Sequence, residues 1–506
     1  MITLNLETPP MSKVVAERRK AETARQKSAA LKRTYHGAVS NRLTGDWTIF
    51  STSTRSELRS QLRNLRARSR DLARNDPYMK KFLSMVSSNV IGPHGIKLQA
   101  KLSDAGGARD PETTKHVEQK WKEWGHAETC SASGKLSWVD ALKMFIATIA
   151  RDGEVLCRMI VADNKFGFSL KFIDANWLDE GYNVVNANGT RIIMSVEVDK
   201  HDRPVAYWLT PPADEYTYGG NYDASIVRRT RVPADEIIHC FVAEDDNQTR
   251  GVPWAHAVMV STKMLNGYRE AEVTAARVEA CKGVYLIPPD DDEFAGVPEG
   301  AAESPSFEDI QPAMQQVLPP GWKTESFDPS HPNSNYGEFV KEVLRGVAAG
   351  LDVSYFALAN DLNAVNYSSA RIGLLEERDI WRGLQGFVVE HFCRRVYLAW
   401  LRAGMLTGEL ALMPKDFERL REPVWQPRGW MWVDPVKDVL ASVTAIENGL
   451  ATRTQILAEQ GQDFEETIEQ LSEEQVILKE NNILPGQSLA ALAQLNAQEE
   501  AKGAPA

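Results

Sequence analysis

The densest group of candidate metal ligands is the run PDDDE, in which Asp290, Asp291 and Asp292 present three carboxylates to a hard cation. Calcium loops space their acids around a glycine and close with a bidentate glutamate, so consecutive acids without those features read as a solvated loop. Ser133-Gly134-Lys135-Leu136 has a Gly-Lys pair but lacks the preceding glycine loop whose amides would cradle a phosphate, which argues against ATP hydrolysis. G-x-S-x-G, H-E-x-x-H and G-x-G-x-x-G are all absent. His239 in EIIHCFV and His391 in VVEHFCRR fall in apolar periodic segments and read as core groups rather than general bases. Cys130, Cys157, Cys240, Cys281 and Cys393 form no C-x-x-C pair, so neither a zinc site nor a disulfide framework is expected. The expectation is a protein without catalytic residues, metal or cofactor.

Charge is the stronger signal. The chain carries a formal −11, yet residues 1–81 hold 18 Lys and Arg against 7 Asp and Glu, a net of +11 that leaves −22 on the rest. Between Glu459 and Glu480 eight acids face one base, Lys479. Such polarity suits contacts between neighbouring copies, or two solvated faces. No apolar run approaches the roughly 18 to 20 residues of a membrane helix, and no apolar stretch follows the basic N-terminus, so neither a membrane span nor export is expected.

These side chains are carried on elements that can be read from periodicity. Leu58, Leu62, Leu65, Ser69 and Leu72 step by fours and threes, with Arg55, Arg59, Arg63, Arg66, Arg70 and Arg74 as an adjoining stripe: an amphipathic helix. It should stop near Asn75, where Asp76 caps a second helix that starts at Pro77 and ends at Gly92-Pro93, burying Phe82, Met85, Val86 and Val90. No aromatics interleave with the arginines between 55 and 74, so base stacking is unsupported there. A third helix over Pro111–Gly125 turns Val117, Trp121 and Trp124 inward. Residues 154–242 contain β-rich runs (EVLCRMIV, FSLKFI, TRIIMSVEV, PVAYWL, DEIIHCFV) separated by turn signals, which predicts an antiparallel sheet. An alanine-rich helix follows RGVPW and ends near Cys281, and residues 282–336 form an insertion with little regular structure. Phe339 to Leu351 define a short helix, and the polar loop ANDLNAVNYSS leads into a long one from Ser368 to Ala403. Gly383 and Gly386 each cost about 1 kcal/mol relative to Ala inside that helix, which places a kink at RGLQG. An acidic helical region reaches Ile483, and a low-complexity tail completes the chain.

The motifs RSRDLARNDPY, NVIGPHGIKLQ, VEVDKHDRPVAYWL, RVPADEIIHCF, QTRGVPW, NYSSARIGLLE, GWMWVDPVKD and NGLATRTQILAEQGQD, in this order and spacing, resemble the lambda-like family of tailed-bacteriophage portal proteins from Arg55 to Ile483. The resemblance implies an α+β portal fold with an α/β wing, a helical stem, a small α/β clip, a long kinked helix and an α-helical crown. It implies the following division: 1–54 a basic arm, partly disordered; 55–255 the wing; 256–281 and 337–351 the stem helices, with 282–336 between them as the clip; 352–367 the tunnel loop; 368–433 the kinked helix and return to the wing; 434–484 the crown; 485–506 a disordered tail. The implied function is a ring, usually of twelve subunits, at one capsid vertex, which passes double-stranded DNA during packaging and ejection. Implied partners are the large terminase subunit, a head-tail adaptor and the major capsid or scaffold protein; the implied place is the virion, and the host cytoplasm during assembly.

Within that frame Asn360, Asp361, Asn363 and Asn366 are expected near DNA, because the loop from Ser354 to Asn366 holds no Lys or Arg and one acid. Arg59, Arg63, Arg66 and Arg70 are expected to contact a neighbouring subunit or the capsid. Tyr285, Ile287, Asp290 and Asp291 are expected to dock partners at the clip. The rival readings are a head-maturation nuclease or protease and a sequence-specific DNA-binding protein, neither of which has a motif here.

Overall fold

In the computed structural model the chain divides into two units, Met1–Ser53 and Thr54–Ala506. It describes Val15, residues 18–20 and Glu22 of the first, and residues 53–102, 110–187, 189–211, 229–280, 284–287, 323–326, 335–363, 367–430 and 434–480. Val15, residues 18–20 and Glu22 are helical and exposed.

The second unit opens with α1 (Thr54–Asn75) and α2 (Pro77–Val86). Asp76 caps α2 as its type and position predict, its Oδ1 accepting from the Met79 amide at 2.6 Å, and Pro77 takes the first turn, where its missing N–H costs nothing. A π turn over Ser87–Ile91 carries the chain to Gly92 at φ +75°. Then come β1 (Lys97–Gln99), α3 (Pro111–Trp124), α4 (Trp138–Asp152), β2 (Glu154–Val161), β3 (Phe168–Ile173), β4 (Val184–Val185), β5 (Arg191–Ile193), β6 (Val196–Val198), β7 (Pro204–Leu209), β8 (Thr230–Pro233) and β9 (Ile237–Phe241). After α5 (Met259–Ala280) come β10 (Val284–Ile287), β11 (Lys323–Ser326), α6 (Tyr336–Gly350), α7 (Tyr367–Val388), α8 (Arg394–Thr407), β12 (Val424–Gln426), α9 (Pro435–Glu447), α10 (Arg453–Glu459) and α11 (Phe464–Glu480). The mixture of helix with antiparallel sheet is the expected α+β class.

The single expected sheet is two, β3-β2-β9 and β4-β5-β6-β7-β8, antiparallel throughout. The run TRIIMSVEV, read as one strand, is the β5–β6 hairpin, because Met194 and Ser195 turn the chain at φ +48° and +68°. Neither is a glycine, and left-handed backbone costs such residues on the order of 1 kcal/mol, so neighbours must hold it. They do: the Met194 amide donates to Asn183 Oδ1 at 3.1 Å, Ser195 Oγ donates to the Asp179 carbonyl at 3.0 Å, and Arg250 donates to the Met194 carbonyl at 3.1 Å. The main core packs α2, α3, α4, α8, β2 and β3 around rings: Trp121 lies within 4.8–6.0 Å, centroid to centroid, of Trp124, Trp138, Tyr397, Trp400 and Trp425.

Glu154, fully buried at the head of β2, ties these parts together. Its carboxylate accepts from Arg66 Nη2 at 2.6 Å, from Arg250 Nη2 at 2.5 Å and Nε at 2.9 Å, and from the Gly251 amide at 3.1 Å, and it bonds His239 Nε2 at 3.0 Å. Arg250 reaches further, to the carbonyls of Ala175 and Leu178. The approach needs glycine twice: a Cβ at Gly251 would strike the Gly153 carbonyl, and one at Gly153 the Val252–Pro253 backbone. The arginine stripe of α1 is therefore divided. Arg66, 1% exposed, also donates to Asn176 and Glu180, and Arg70 forms paired bonds to Asp152 and Asp174. Arg66 is thus not available to a neighbouring subunit, which corrects the expected contact: an inward carboxylate on β2 draws the guanidinium inside, while Leu65 stays half-buried. Arg59 and Arg63 remain exposed, with no ion pair among the described residues.

The long helix is also revised. It stays α-helical through Gly383 and Gly386, and its irregularity is a π turn over Val389–Cys393. Val388, Phe392, Val396, Trp400 and Gly404 are buried at steps of four, each overshooting an ideal 3.6-residue turn; one wider turn absorbs the drift and keeps them on one face. His391 inside that turn is exposed rather than in the core, whereas His239 is buried against Glu154 as expected. In α9, α10 and α11 no residue is buried; α11 is held by polar contacts, Asp463–Lys101 at 3.5 Å, Glu466–Lys97 at 3.6 Å, Glu469–Lys115 at 2.6 Å and Gln99 Nε2 to Asp463 at 2.7 Å.

Breaking the buried cluster from one side should cost about 3–5 kcal/mol, so R66M and E154Q should each lower the denaturant midpoint sharply, while R59Q/R63Q should shift stability by no more than about 0.5 kcal/mol. Burial alone would raise the Glu154 carboxyl, but Arg250, His239 and Arg66 outweigh it and hold it well below the usual range. A depressed folded value stabilises above the unfolded pKa of about 4.3 and is lost as pH falls below it. Wild-type stability should therefore drop on acidification below that pH, and E154Q should show a flatter acid limb in urea titrations from pH 7 to 2.

Candidate functional site

The segment after α6 is built to hold a neutral loop in one shape. α6 buries Leu344, Val347 and Ala348, and a Cβ at Gly350 would collide with Val258, so the end of α6 sits close against the chain entering α5. Leu351 and Val353 are buried on either side of Asp352, which turns at φ +53°. A one-turn helix, Tyr355–Ala359, then buries Leu358 and ends at Asn360 in the left-handed region, φ +51°, a conformation asparagine tolerates better than most residues. Buried Glu377 of α7 anchors the near end, one oxygen accepting from the Ser354 amide at 3.2 Å and the other from Trp381 Nε1 at 3.2 Å.

Asp361 faces back toward this scaffold. Its Oδ2 accepts from the Tyr355 hydroxyl at 2.9 Å and its Oδ1 from the Asn363 amide at 3.0 Å. The Tyr355 bond, with the Asn363 amide, lowers the Asp361 carboxyl below the ordinary aspartate value. Partial burial and the Asp361 carboxylate raise Tyr355 to about 12. The tyrosine therefore stays a neutral donor and the aspartate an acceptor fixed in place. The side chains turned to solvent are Asn360, Leu362 and Asn363, with Leu362 78% exposed. No lysine or arginine lies in Ser354–Asn363.

Of the four residues expected near DNA, Asn360, Asp361 and Asn363 come together on this loop, with Asp361 directed inward; Asn366 lies outside the described residues. Sequence reasoning passed over Leu362, whose signal is a lone aliphatic residue among polar neighbours in NDLN. It also passed over Glu154 and Arg250. The sign of Glu154 was an acid heading the apolar run EVLCRMIV. Tyr285 and Ile287 are on β10, which pairs antiparallel with β11; Asp290 and Asp291 lie outside the described residues. Among the described residues no group of three or more His, Cys, Asp or Glu is placed to hold a metal, and no helix is long and apolar enough to cross a membrane. Burial raises the Cys130 and Cys240 thiols to about 12, which leaves them poor nucleophiles.

Residues 40–385 match the family model described as phage portal protein, lambda family. The chain is 33% identical over 466 residues to the probable portal protein of Halomonas phage phiHAP-1, covering 90% of this chain and 88% of that one. It is 24% identical to the portal protein of Escherichia phage N15, over 86% of this chain and 88% of the relative, and 22% identical to portal protein B of Escherichia phage lambda, over 84% and 85%. A family model spanning most of the fold, together with relatives aligned nearly end to end, gives the conclusion that the chain belongs to the lambda family of phage portal proteins and serves as a portal, the head-tail connector of the virion.

Proposed function

We propose that twelve copies close into a ring at one capsid vertex and that double-stranded DNA passes along its axis during packaging and ejection. The observation that carries a ring is apolar surface left open on one copy. On α5 Val260 and Met264, one turn apart, are 67% and 71% exposed and Val273 is 60% exposed, while Phe339 on α6 is 52% exposed. Helices that leave such stripes to solvent belong against neighbours. In this reading α5 and α6 are the stem, β10 and β11 the core of the clip, residues 55–255 the wing, 368–433 the bent helix and return, and 434–484 the crown. The protein acts mechanically and catalyses nothing.

The loop at 352–367 is then the lining of the tunnel. A channel must not hold what it conveys, since each phosphate neutralised releases counterions and adds affinity, and a ring multiplies every contact. Asn360, Leu362 and Asn363 offer dipoles and a methyl surface, and Asp361 is turned away toward Tyr355; Asn366 joins them in this assignment. Arg59 and Arg63 meet acidic groups of a neighbouring subunit or of the major capsid or scaffold protein. Tyr285, Ile287, Asp290 and Asp291 dock the large terminase subunit and later the head-tail adaptor, assembly taking place in the host cytoplasm.

Two lysines per copy on the loop, L362K/N363K, should leave folding and ring formation intact yet cut the number of DNA-filled heads by on the order of tenfold, with partial recovery as salt weakens the phosphate contacts. Wild-type filling by that variant contradicts a DNA-facing loop. D290N/D291N should weaken terminase capture by the purified ring; unchanged capture contradicts the clip assignment.

A further inference from the structure

The chain assembles from distant segments the basic and aromatic patch that is missing from the arginine stretch of α1. Arg378 and Arg382 of α7 and Arg428, just after β12, bring their guanidinium carbons to 5.9, 5.6 and 5.7 Å from the ring centre of half-buried Trp430. Trp430 is fixed by Nε1, which donates to Asn89 Oδ1 at 3.3 Å. Arg371 shares the flank of α7 with Arg378 and Arg382 at steps of seven and four. The neighbouring acids are Asp379, paired to Arg382 at 2.7 Å, Asp438, paired to Arg371 at 2.8 Å, and Asp434, paired to Lys437 at 3.0 Å. Arg428 bonds neutral oxygens, the carbonyls of Ser88 and Gly429. Burial, then the charges of Arg382 and Arg428, push Arg378 below the ordinary arginine value. Beside it Ile372 and Leu375 are 68% and 45% exposed.

We propose that this patch is a docking surface for a second copy of the chain and that its occupant is the outer half of the neighbour's α11. This rests on the ring reading above. A head-to-tail ring needs two unlike surfaces on each copy, complementary to one another. α11 supplies the other sign: it buries no residue, Glu474 and Glu480 have no ion pair among the described residues, and Leu471, Val476 and Ile477 are 46–56% exposed. Arginine and tryptophan are enriched at interface centres, and the acids of α11 are complementary to them in charge. DNA is the disfavoured occupant, because clustered arginines repeated around a channel would hold the duplex that the neutral loop lets pass.

The test uses the full-length protein, with light scattering after size exclusion and negative-stain images, on the wild type, R378E/R382E, E474R/E480R and the four changes combined. Each pair of reversals should lower the ring fraction at least tenfold at an unchanged melting temperature, and the combination should regain rings. Rings at the wild-type level in either paired variant, or none in the combination, overturn the contact. Normal rings in R378E/R382E together with loss of binding to a 20-base-pair duplex overturn it in favour of a nucleic-acid site. Should that variant melt early, R382E alone, at an exposed position whose ion pair is to Asp379 of its own helix, must show the ring defect or the contact is refuted. A wild type that forms no ring at any concentration refutes the ring reading and the contact with it.

Discussion

A carboxylate without water must find its hydrogen-bond partners and counter-charges in the protein, and Glu154 finds them on three segments that sequence keeps far apart. Arg66 brings α1, Arg250 brings the chain entering α5, and His239 brings β9. Through the carbonyls that Arg250 reaches, the same point also holds the β5–β6 turn and the loop after β3. Removing the carboxylate leaves the buried Arg250 guanidinium without an ion pair among the described residues, so the geometry of both sheets and the first helix depends on that group.

Engaging cations inside the fold has a consequence for the surface. Arg66 and Arg70 are ion-paired at home, Asp361 on the loop is hydrogen-bonded to its own scaffold, and what faces outward near Asn360 is amide and aliphatic. Positive charge is instead concentrated at Trp430 and on the outer face of α1, while α11 collects negative charge. In the proposed ring, this partition of charge is sticky toward neighbours and indifferent to a passing duplex.

Helices with clean periodicity were legible in advance. The Asp76–Pro77 boundary, the inward faces of α2 and α3 and the loop before α7 follow from capping, spacing and the absence of cations. What periodicity misjudged has local causes. The β5–β6 hairpin hides in TRIIMSVEV because its turn residues are Met and Ser, held in the left-handed region by contacts no sequence window contains. The irregularity of the long helix was assigned to its glycines, whereas it arises from a run of buried residues at steps of four. The arginine stripe hides a member that points inward, since nothing in α1 announces an acid 88 residues later. Leu362 and the Trp430 cluster were invisible for the same reason: each is defined by what surrounds it in space.

The claim most exposed to refutation is that the loop after Gly350 meets the DNA. A reconstruction of the assembled ring by electron cryo-microscopy tests it directly. The account predicts a hole wide enough for a duplex, narrowest where Asn360, Leu362 and Asn363 of every copy converge on the axis. A map that carries these residues to the outer rim, or sets arginines at the constriction, contradicts it.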